Sequence, residues 1–394
     1  YSVFCKTDHV VNGEVKEKIT CFIVEKDRAG ISFGEKEDKM GIRASETRAV
    51  YFDKVIVPAE NIIGEEGMGF KIAMNVLNTG RLSLGSGSVG GMKAMLKQAT
   101  FHAKNRKQFG DAIINYGLIQ EKIAHMAASI YASESMVYMT TGKMVQGMED
   151  YAIESAMCKV YCSENLWATV DQALQIAAGN GYMKEYPFER AMRDSRINLI
   201  FEGTNEILRI FIALMGIRGP SESLKELGKI SDVSKAIQDP IKSLGLITEF
   251  AKNRISKMIS SRVLTGAHKD LEEYANAYSE MLNEFSIKVE NILMKLGKKI
   301  IGNELPQMRL ANMAIELYAQ VCVLSRTTAI LNDASISDDD KAYVKLLTDI
   351  TLKKSRKIFK QNAKLIGQKY DRLLPKLSDE VAKRDGYGLD IVKF

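Results

Sequence analysis

The sequence has the composition of a globular protein with more than one domain. Its 394 residues are 46% hydrophobic and 26% charged, which excludes a disordered chain and is enough for two or three domains with their own cores. The net charge is +6, and none of it comes from the first 220 residues, which carry 26 basic and 26 acidic side chains.

The predicted elements change from strands to helices near Gly67. Short apolar runs that are typical of strands occur at 2–5, 19–24 and 50–57. No proline occurs between Pro58 and Pro187, and the apolar residues of 118–130 recur at the spacing of an amphipathic helix. We therefore predict a mainly α protein, with an incomplete β-sheet in 1–64, a four-helix bundle in 65–218 and a second helical domain in 219–394.

The C-terminal helical domain carries the whole excess of positive charge. Two of its stretches, 251–269 and 350–370, contain several Lys and Arg residues and no acidic residue. A solvated helix face would explain either stretch. The more specific alternative is that these basic residues bind an anionic membrane surface. No apolar stretch approaches the roughly 20 residues that a membrane-spanning helix needs.

The cysteines and histidines form no pattern of a disulfide framework or a metal site. The five cysteines are scattered, which favours a reducing compartment. Only Cys158 and Cys162 are close in sequence, and their spacing places them on one helical face, where buried thiols are expected. The four histidines have no ligand spacing. We therefore predict that the protein binds no metal.

One carboxylate stands immediately before a predicted helix. Thr204 and Asn205 are good N-cap residues, and the apolar run that follows them ends at Gly216. Glu202 therefore lies on a short loop that contains Gly203 and follows two apolar residues. Partial desolvation there raises the proton affinity of a carboxylate and suits it to general-base catalysis. The alternative is a solvated loop carboxylate without a catalytic role.

The motifs around this loop resemble those of the acyl-CoA dehydrogenase family. Phe201-Glu202-Gly203-Thr204 matches the loop that carries the catalytic Glu of that family, and 175–182 matches its Gln-x-x-Gly-Gly-x-Gly-aromatic signature, with Ala178 in place of the first Gly. A methyl group is tolerable there unless the backbone needs a positive φ. Two further motifs agree, at 40–61 and 106–110. Four ordered motifs over about 170 residues are far more specific than a single Gly-rich match.

The resemblance implies the acyl-CoA dehydrogenase fold, of which the chain looks like an N-terminally truncated copy. Residues 1–64 would be the C-terminal part of its middle β-domain, 65–218 the FAD-binding bundle and 219–394 a helical extension. About 190 residues follow Glu202, a tail that resembles the very-long-chain branch, in which the enzyme is a membrane-associated homodimer. We expect these 394 residues alone to hold FAD poorly, because the family's flavin-covering loop would precede Tyr1.

The resemblance also implies an activity and a set of site residues. The reaction is FAD-dependent α,β-dehydrogenation of a long or very-long-chain fatty acyl-CoA to the trans-2-enoyl-CoA in fatty acid β-oxidation, with electrons passed to electron-transfer flavoprotein. Glu202 would be the base. The substrate would contact Asn78, Thr79, Gly80, Arg81 and Gly203. The cofactor would contact Thr204, Asn205 and Glu206 of its own subunit and, from the neighbouring subunit, Arg106, Gln175 and Gly179.

Two other functions stay open on the sequence. One is a non-catalytic assembly or scaffold protein for a respiratory complex, built on the same fold. The other is an acyl-CoA oxidase, which uses the same base but passes its electrons to oxygen. For the dehydrogenase we expect the cytoplasmic face of the inner membrane in a bacterium, or the matrix and inner membrane of mitochondria in a eukaryote, and no nucleic-acid partner.

Overall fold

The computed structural model describes residues 1–11, 13–226 and 264–389 and is mainly helical, which confirms the predicted fold class. Contacts divide these residues into two compact units. The first comprises 1–130 and 144–204, and the second comprises 131–143, 205–226 and 264–389. The predicted domain boundaries after residues 64 and 218 stay a prediction.

The N-terminal part of the first unit is a partial β-domain. Strands β1 (Ser2–Val11) and β2 (Glu14–Ile23) form an antiparallel hairpin, and β3 (Ile31–Phe33) pairs with β4 (Val50–Phe52). The buried side chains of the hairpin strands, Thr20 and Cys21, are both small, so the hairpin contributes little to the core. The prediction of an incomplete sheet is confirmed in the described residues, where every sheet has two strands.

Long helices form the rest of the first unit. Helix α1 (Gly69–Asn105) packs against α3 (Ala152–Ala177), and Gly91 of α1 lets the Leu166 side chain come close. Residues 117–130 begin α2 (Gly117–Val145), which follows a hairpin of β5 (Lys107–Gln108) and β6 (Asp111–Ala112). Two shorter helices, α4 (Gly179–Tyr182) and α5 (Pro187–Ser195), pack on α3. The helices therefore supply the apolar core, which includes Met92, Ala99, Val160 and Ile176.

Helices also form the second unit. These are α6 (Asn205–Glu226), α7 (Glu272–Leu296), α8 (Glu304–Asn332), α9 (Asp338–Leu365) and α10 (Lys369–Lys383), together with 131–143 of α2. Helix α8 packs against α6, α7 and α9. The Ser337 side chain caps α9 by accepting from the Asp340 amide, and three acidic residues fill the first turn of the helix.

Helix α8 corrects the prediction that no segment resembles a membrane span. By length and composition alone it could cross a membrane, and it is the one such helix among the described residues. Half of its most apolar window is buried inside the protein, and buried polar side chains such as Gln307, Glu316 and Gln320 interrupt the apolar residues. Helix α8 packs against three other helices of the second unit. A helix surrounded by others is apolar on most of its faces, which explains the apolar composition of α8.

Candidate active site

The loop that carries Glu202 has an unusual backbone conformation. It follows a 3₁₀ turn at Arg196–Leu199, and the Phe201 amide donates to the Ile197 carbonyl over 3.1 Å. Glu202 has φ +60° and Gly203 has φ +93°. A positive φ is natural for Gly but costly for Glu, and such strain persists where surrounding contacts enforce it, often at functional sites.

The carboxylate of Glu202 lies directly against Gly80 of α1. A Cβ atom at Gly80 would be 2.9 Å from Glu202 Oε2 and 3.2 Å from Oε1. Glu202 Oε2 is buried and has no hydrogen-bond partner among the residues that the structure describes. The missing side chain at Gly80 therefore leaves room for a carboxylate that is shielded from water and ready to accept a proton.

Arg81 holds the loop from the side of α1. Its Nε donates to the Glu202 carbonyl over 3.1 Å, and its Nη1 donates to Asn78 Oδ1 over 3.0 Å. Only 5% of Arg81 is exposed. Burial lowers the pKa of the guanidinium, and the neighbouring Glu202 charge opposes that shift. Arg81 therefore fixes the backbone of the base.

Lys159 holds the same loop from α3, and the sequence analysis missed it. Its Nζ donates to the Gly203 carbonyl over 2.9 Å, and the side chain is fully buried. A buried lysine is rare unless its charge meets polar partners. The available signal was a single Lys within the apolar stretch 156–160, which does not indicate what the side chain contacts.

The structure brings most of the predicted substrate residues together. Gly80 and Arg81 contact Glu202, Asn78 accepts a hydrogen bond from Arg81, and Gly203 follows Glu202 in the loop. Thr79 is exposed and its hydroxyl lies 2.9 Å from the hydroxyl of Tyr151. Four of these five positions therefore form one cluster around the carboxylate, and Thr79 lies beside it.

The predicted cofactor residues occupy ends of helices. Arg106 follows α1, and Gln175 and Gly179 flank the junction of α3 and α4; all three are exposed. A Cβ at Gly179 would meet no atom within 4 Å. An exposed guanidinium, an exposed amide and an accessible backbone fit an anionic group such as the pyrophosphate of FAD.

The remaining cofactor residues stand where α6 begins. Thr204 is half-buried and precedes the helix, Asn205 is buried, and Glu206 is exposed in the first turn. The Asn205 carbonyl accepts from Arg209 Nη1 over 3.3 Å. The start of a helix offers free N–H groups and a positive dipole end, which suits the same anion.

Ala178 requires a correction to the sequence analysis. Its φ is +51° and its ψ is −129°, so the condition under which a methyl group would matter is met. Gly adopts this conformation without a steric cost, whereas Ala does not. The replacement of the family's Gly therefore strains the junction between α3 and α4.

Metal ligation has no support in the part of the chain that the structure describes, where no group of three or more His, Cys, Asp or Glu side chains could hold an ion. The absence of a metal stays a prediction. Cys158 and Cys162 are both buried, which confirms the prediction of buried thiols.

Comparison with known proteins agrees with this site. The family model "Acyl-CoA dehydrogenase, C-terminal domain" matches residues 67–215. The very long-chain specific acyl-CoA dehydrogenases of Rattus norvegicus mitochondria and of Homo sapiens mitochondria are 44% and 42% identical over 339 residues, which are 84% of this chain and 51% of each relative. The chain therefore spans about half the length of these relatives.

A solved structure extends the likeness to both units. The acyl-CoA dehydrogenase of Bacillus anthracis, solved in complex with FAD, superposes with a TM-score of 0.73 at 30% identity and covers 95% of this chain and 63% of its own. The chain belongs to the acyl-CoA dehydrogenase family. Within the family it belongs with the very-long-chain branch, because residues 269–387 match the model "ACAD9/ACADV, C-terminal domain".

Proposed function

We propose that this protein is an FAD-dependent acyl-CoA dehydrogenase that converts long or very-long-chain fatty acyl-CoA to trans-2-enoyl-CoA in fatty acid β-oxidation. The observation that carries this proposal is the Glu202 carboxylate, which lies over Gly80 with a buried, unpartnered Oε2 among the described residues. A carboxylate in that state is a general base held in place before its substrate arrives.

Glu202 removes a proton from the α-carbon of the thioester. The negative charge that develops on the thioester carbonyl needs hydrogen-bond donors in fixed positions. Family resemblance assigns one of them to the Glu202 backbone N–H. Arg81 and Lys159 support that role, because they fix the two carbonyls that follow this N–H along the loop.

FAD, when bound, supplies the acceptor for the hydride that leaves the β-carbon. Arg106, Gln175 and Gly179 would hold it from the neighbouring subunit, and Thr204, Asn205 and Glu206 from its own. This shared site implies a homodimer, which sedimentation equilibrium would test by giving twice the monomer mass. Electron-transfer flavoprotein would take up the electrons, as the resemblance implies. For a eukaryotic source we propose mitochondria, the location named for the relatives above.

The central test is Glu202→Gln in the flavin-loaded protein. This change keeps the shape and removes the base, so the rate constant of flavin bleaching by palmitoyl-CoA should fall at least about 100-fold, while flavin content and acyl-CoA affinity are retained. Glu121→Gln, at an exposed position of α2, is the matched control and should bleach at the normal rate. Normal bleaching by the Glu202 variant would refute the proposed base, and peroxide release without an added acceptor would identify an oxidase.

We also propose that the second unit adheres to an anionic membrane surface. Four residues of α10 recur at the spacing of one helical face and are all exposed: Tyr370, Leu373, Leu377 and Val381. Exposed basic side chains accompany them on α9 and α10: Lys353, Lys357, Lys360, Lys364, Lys369, Arg372 and Lys376. An apolar face beside basic residues is typical of a helix that lies in a membrane interface. Most of the basic stretch 251–269 lies outside the described residues.

Vesicle sedimentation tests the membrane contact. The protein should sediment with phosphatidylglycerol vesicles and not with phosphatidylcholine vesicles, and high salt should weaken the binding. The double variant Leu373→Glu and Leu377→Glu should lose it. Val76→Glu, which replaces another exposed apolar residue in the first unit, is the control. Equal sedimentation of all three proteins would refute adhesion through α10.

A further inference from the structure

We propose that Lys159 is a positioning residue for the base, a buried ammonium that keeps the Glu202 loop in its active conformation. The inference rests on the proposed function and extends it to a residue on another helix. Lys159 is fully buried on α3, yet its Nζ lies 2.9 Å from the carbonyl oxygen of Gly203, the residue that follows the base.

The loop needs such a restraint because two successive residues have positive φ angles. Glu202 is at +60° and Gly203 at +93°. Gly adopts such an angle freely, but Glu does not, and a free loop with this sequence would relax into other conformations. The observed conformation persists only if contacts outside the loop enforce it.

Two cations on two helices provide these contacts. Arg81 of α1 donates to the Glu202 carbonyl, and Lys159 of α3 donates to the Gly203 carbonyl. Each carbonyl belongs to a planar trans peptide, so each hydrogen bond fixes a whole peptide plane. Both peptide planes between Glu202 and Thr204 are therefore held, and Lys159 holds the one that joins Gly203 to Thr204.

The direction of the hydrogen bond matters for the chemistry. The ammonium donates to a backbone oxygen of the loop, so it restrains the base through the peptide. Charge-assisted hydrogen bonds are stronger than neutral ones, and burial of the donor side chain reduces competition from water. α3 packs against α1, which carries Gly80 beneath the carboxylate. Lys159 thereby ties the base to the two helices that define its surroundings.

Lys159→Met in the flavin-loaded protein is the decisive variant, because Met fills a similar volume and cannot donate. The rate constant of flavin bleaching by palmitoyl-CoA should fall about 100-fold, the effect of displacing a catalytic group by about 1 Å, while the acyl-CoA concentration at half-saturation changes little. A loss of folded protein would lower the amount of bound flavin and leave the rate constant per flavin unchanged. Lys159→Arg retains the charged donor and should recover about tenfold of the lost rate.

Hydrogen exchange of the backbone amides of 200–204 provides a readout that does not depend on activity. Exchange there should become faster in Lys159→Met and stay close to the wild-type rate in Lys159→Arg. Lys122→Met is the matched control, because Lys122 of α2 is also a hydrogen-bonded lysine of the first unit, donating to Gln172 of α3 away from the loop. This control should change neither the exchange of 200–204 nor the bleaching rate.

The outcomes separate this inference from the proposed function. Unchanged exchange and unchanged bleaching in Lys159→Met, with active wild-type protein, would overturn the role of Lys159 and leave the dehydrogenase intact. Faster exchange in a protein whose wild type never bleaches would retain the restraint and refute the dehydrogenase. If Lys159→Met does not fold, Lys159→Gln, which keeps a neutral donor, replaces it, and wild-type exchange with wild-type bleaching in that variant would equally overturn the proposal.

Discussion

Buried and half-buried cations make different contacts in the two units. In the first unit, Arg81 and Lys159 donate to two successive carbonyls of the catalytic loop. In the second unit, Arg309 forms an ion pair with Asp371 over 3.0 Å, and Arg326 pairs with Glu134 over 2.8 Å. Both kinds of contact give a cation an oxygen partner, but only the second kind of contact is made to a carboxylate.

The difference teaches how a helical bundle keeps one carboxylate reactive. A carboxylate that accepts strong hydrogen bonds from a cation has its negative form stabilised and is a weaker base. Asp371 and Glu134 each bind an arginine through a carboxylate oxygen, which suits a structural role. Near Glu202 the cations instead restrain the loop backbone through its carbonyls. Glu202 Oε2 is buried without a hydrogen-bond partner among the described residues, a property that it shares with Asp371 Oδ2.

The largest effect on stability should come from breaking the ion pair between Arg309 and Asp371. Arg309→Met leaves Asp371, which is 7% exposed, without its cation, and this should lower the free energy of unfolding by about 3–5 kcal/mol. Urea unfolding measures the change. Arg384→Met removes a cation from an exposed pair with Glu380 and should cost less than about 1 kcal/mol.

The rate of flavin bleaching should separate this structural pair from the site. The Arg309 variant should bleach at the wild-type rate per bound flavin at temperatures where it remains folded. A large loss of that rate would show that the ion pair also serves the active site, and an unfolding cost below about 1 kcal/mol would contradict its structural role.

Gly80→Ala should have a smaller effect, which concerns the rate constant of flavin bleaching and not the stability. The new methyl group would lie 2.9 Å from Glu202 Oε2, so the carboxylate must move, and the bleaching rate constant should fall about 10- to 100-fold. Gly87→Ala is the matched control at an exposed position of the same helix α1, since a Cβ there meets no atom within 4 Å. It should keep the rate and gain up to about 1 kcal/mol of stability.

Comparing the bleaching rates of the two single Gly variants tests the geometry of the site directly. Equal rates for Gly80→Ala and Gly87→Ala would show that the carboxylate has room to move without loss. That result would contradict a base held in place by the loop contacts and would weaken the contrast between the two units.

The sequence was sufficient to predict the helical bundle and the loop. Apolar residues at helical spacing predict α2, and an N-cap residue before an apolar run predicts where α6 begins and thus that Glu202 precedes it. The division of α2 between two units could not be predicted, because residues 131–143 differ from the rest of that helix in their neighbours and not in their periodicity.

The contacts that define the site depend on tertiary structure. Lys159 is one Lys among many in the sequence, and only the packing of α3 brings its Nζ to a carbonyl 44 residues further along the chain. Family resemblance placed Gly80 and Glu202 in one substrate site, but residue spacing does not show that a carboxylate 122 residues away lies directly on Gly80. Spacing along one helix identifies neighbours on that helix, but not the partner from another segment.

The smallest expected effect concerns Ala178. The sequence showed that a methyl group replaces the family's Gly there, and the structure shows that the backbone has a positive φ. At φ +51° and ψ −129° Ala is strained by roughly 1–3 kcal/mol, and its exposed methyl group contributes little burial. Ala178→Gly relieves that strain at some cost in unfolded-chain entropy, so it should raise the free energy of unfolding by about 1 kcal/mol. Ala168→Gly, exposed within α3, should instead lower it by about 1 kcal/mol. Opposite signs in urea unfolding would show that the first unit holds strain at the end of α3 as well as at Glu202, whereas a loss of stability in both variants would show that the Ala178 conformation is not strained.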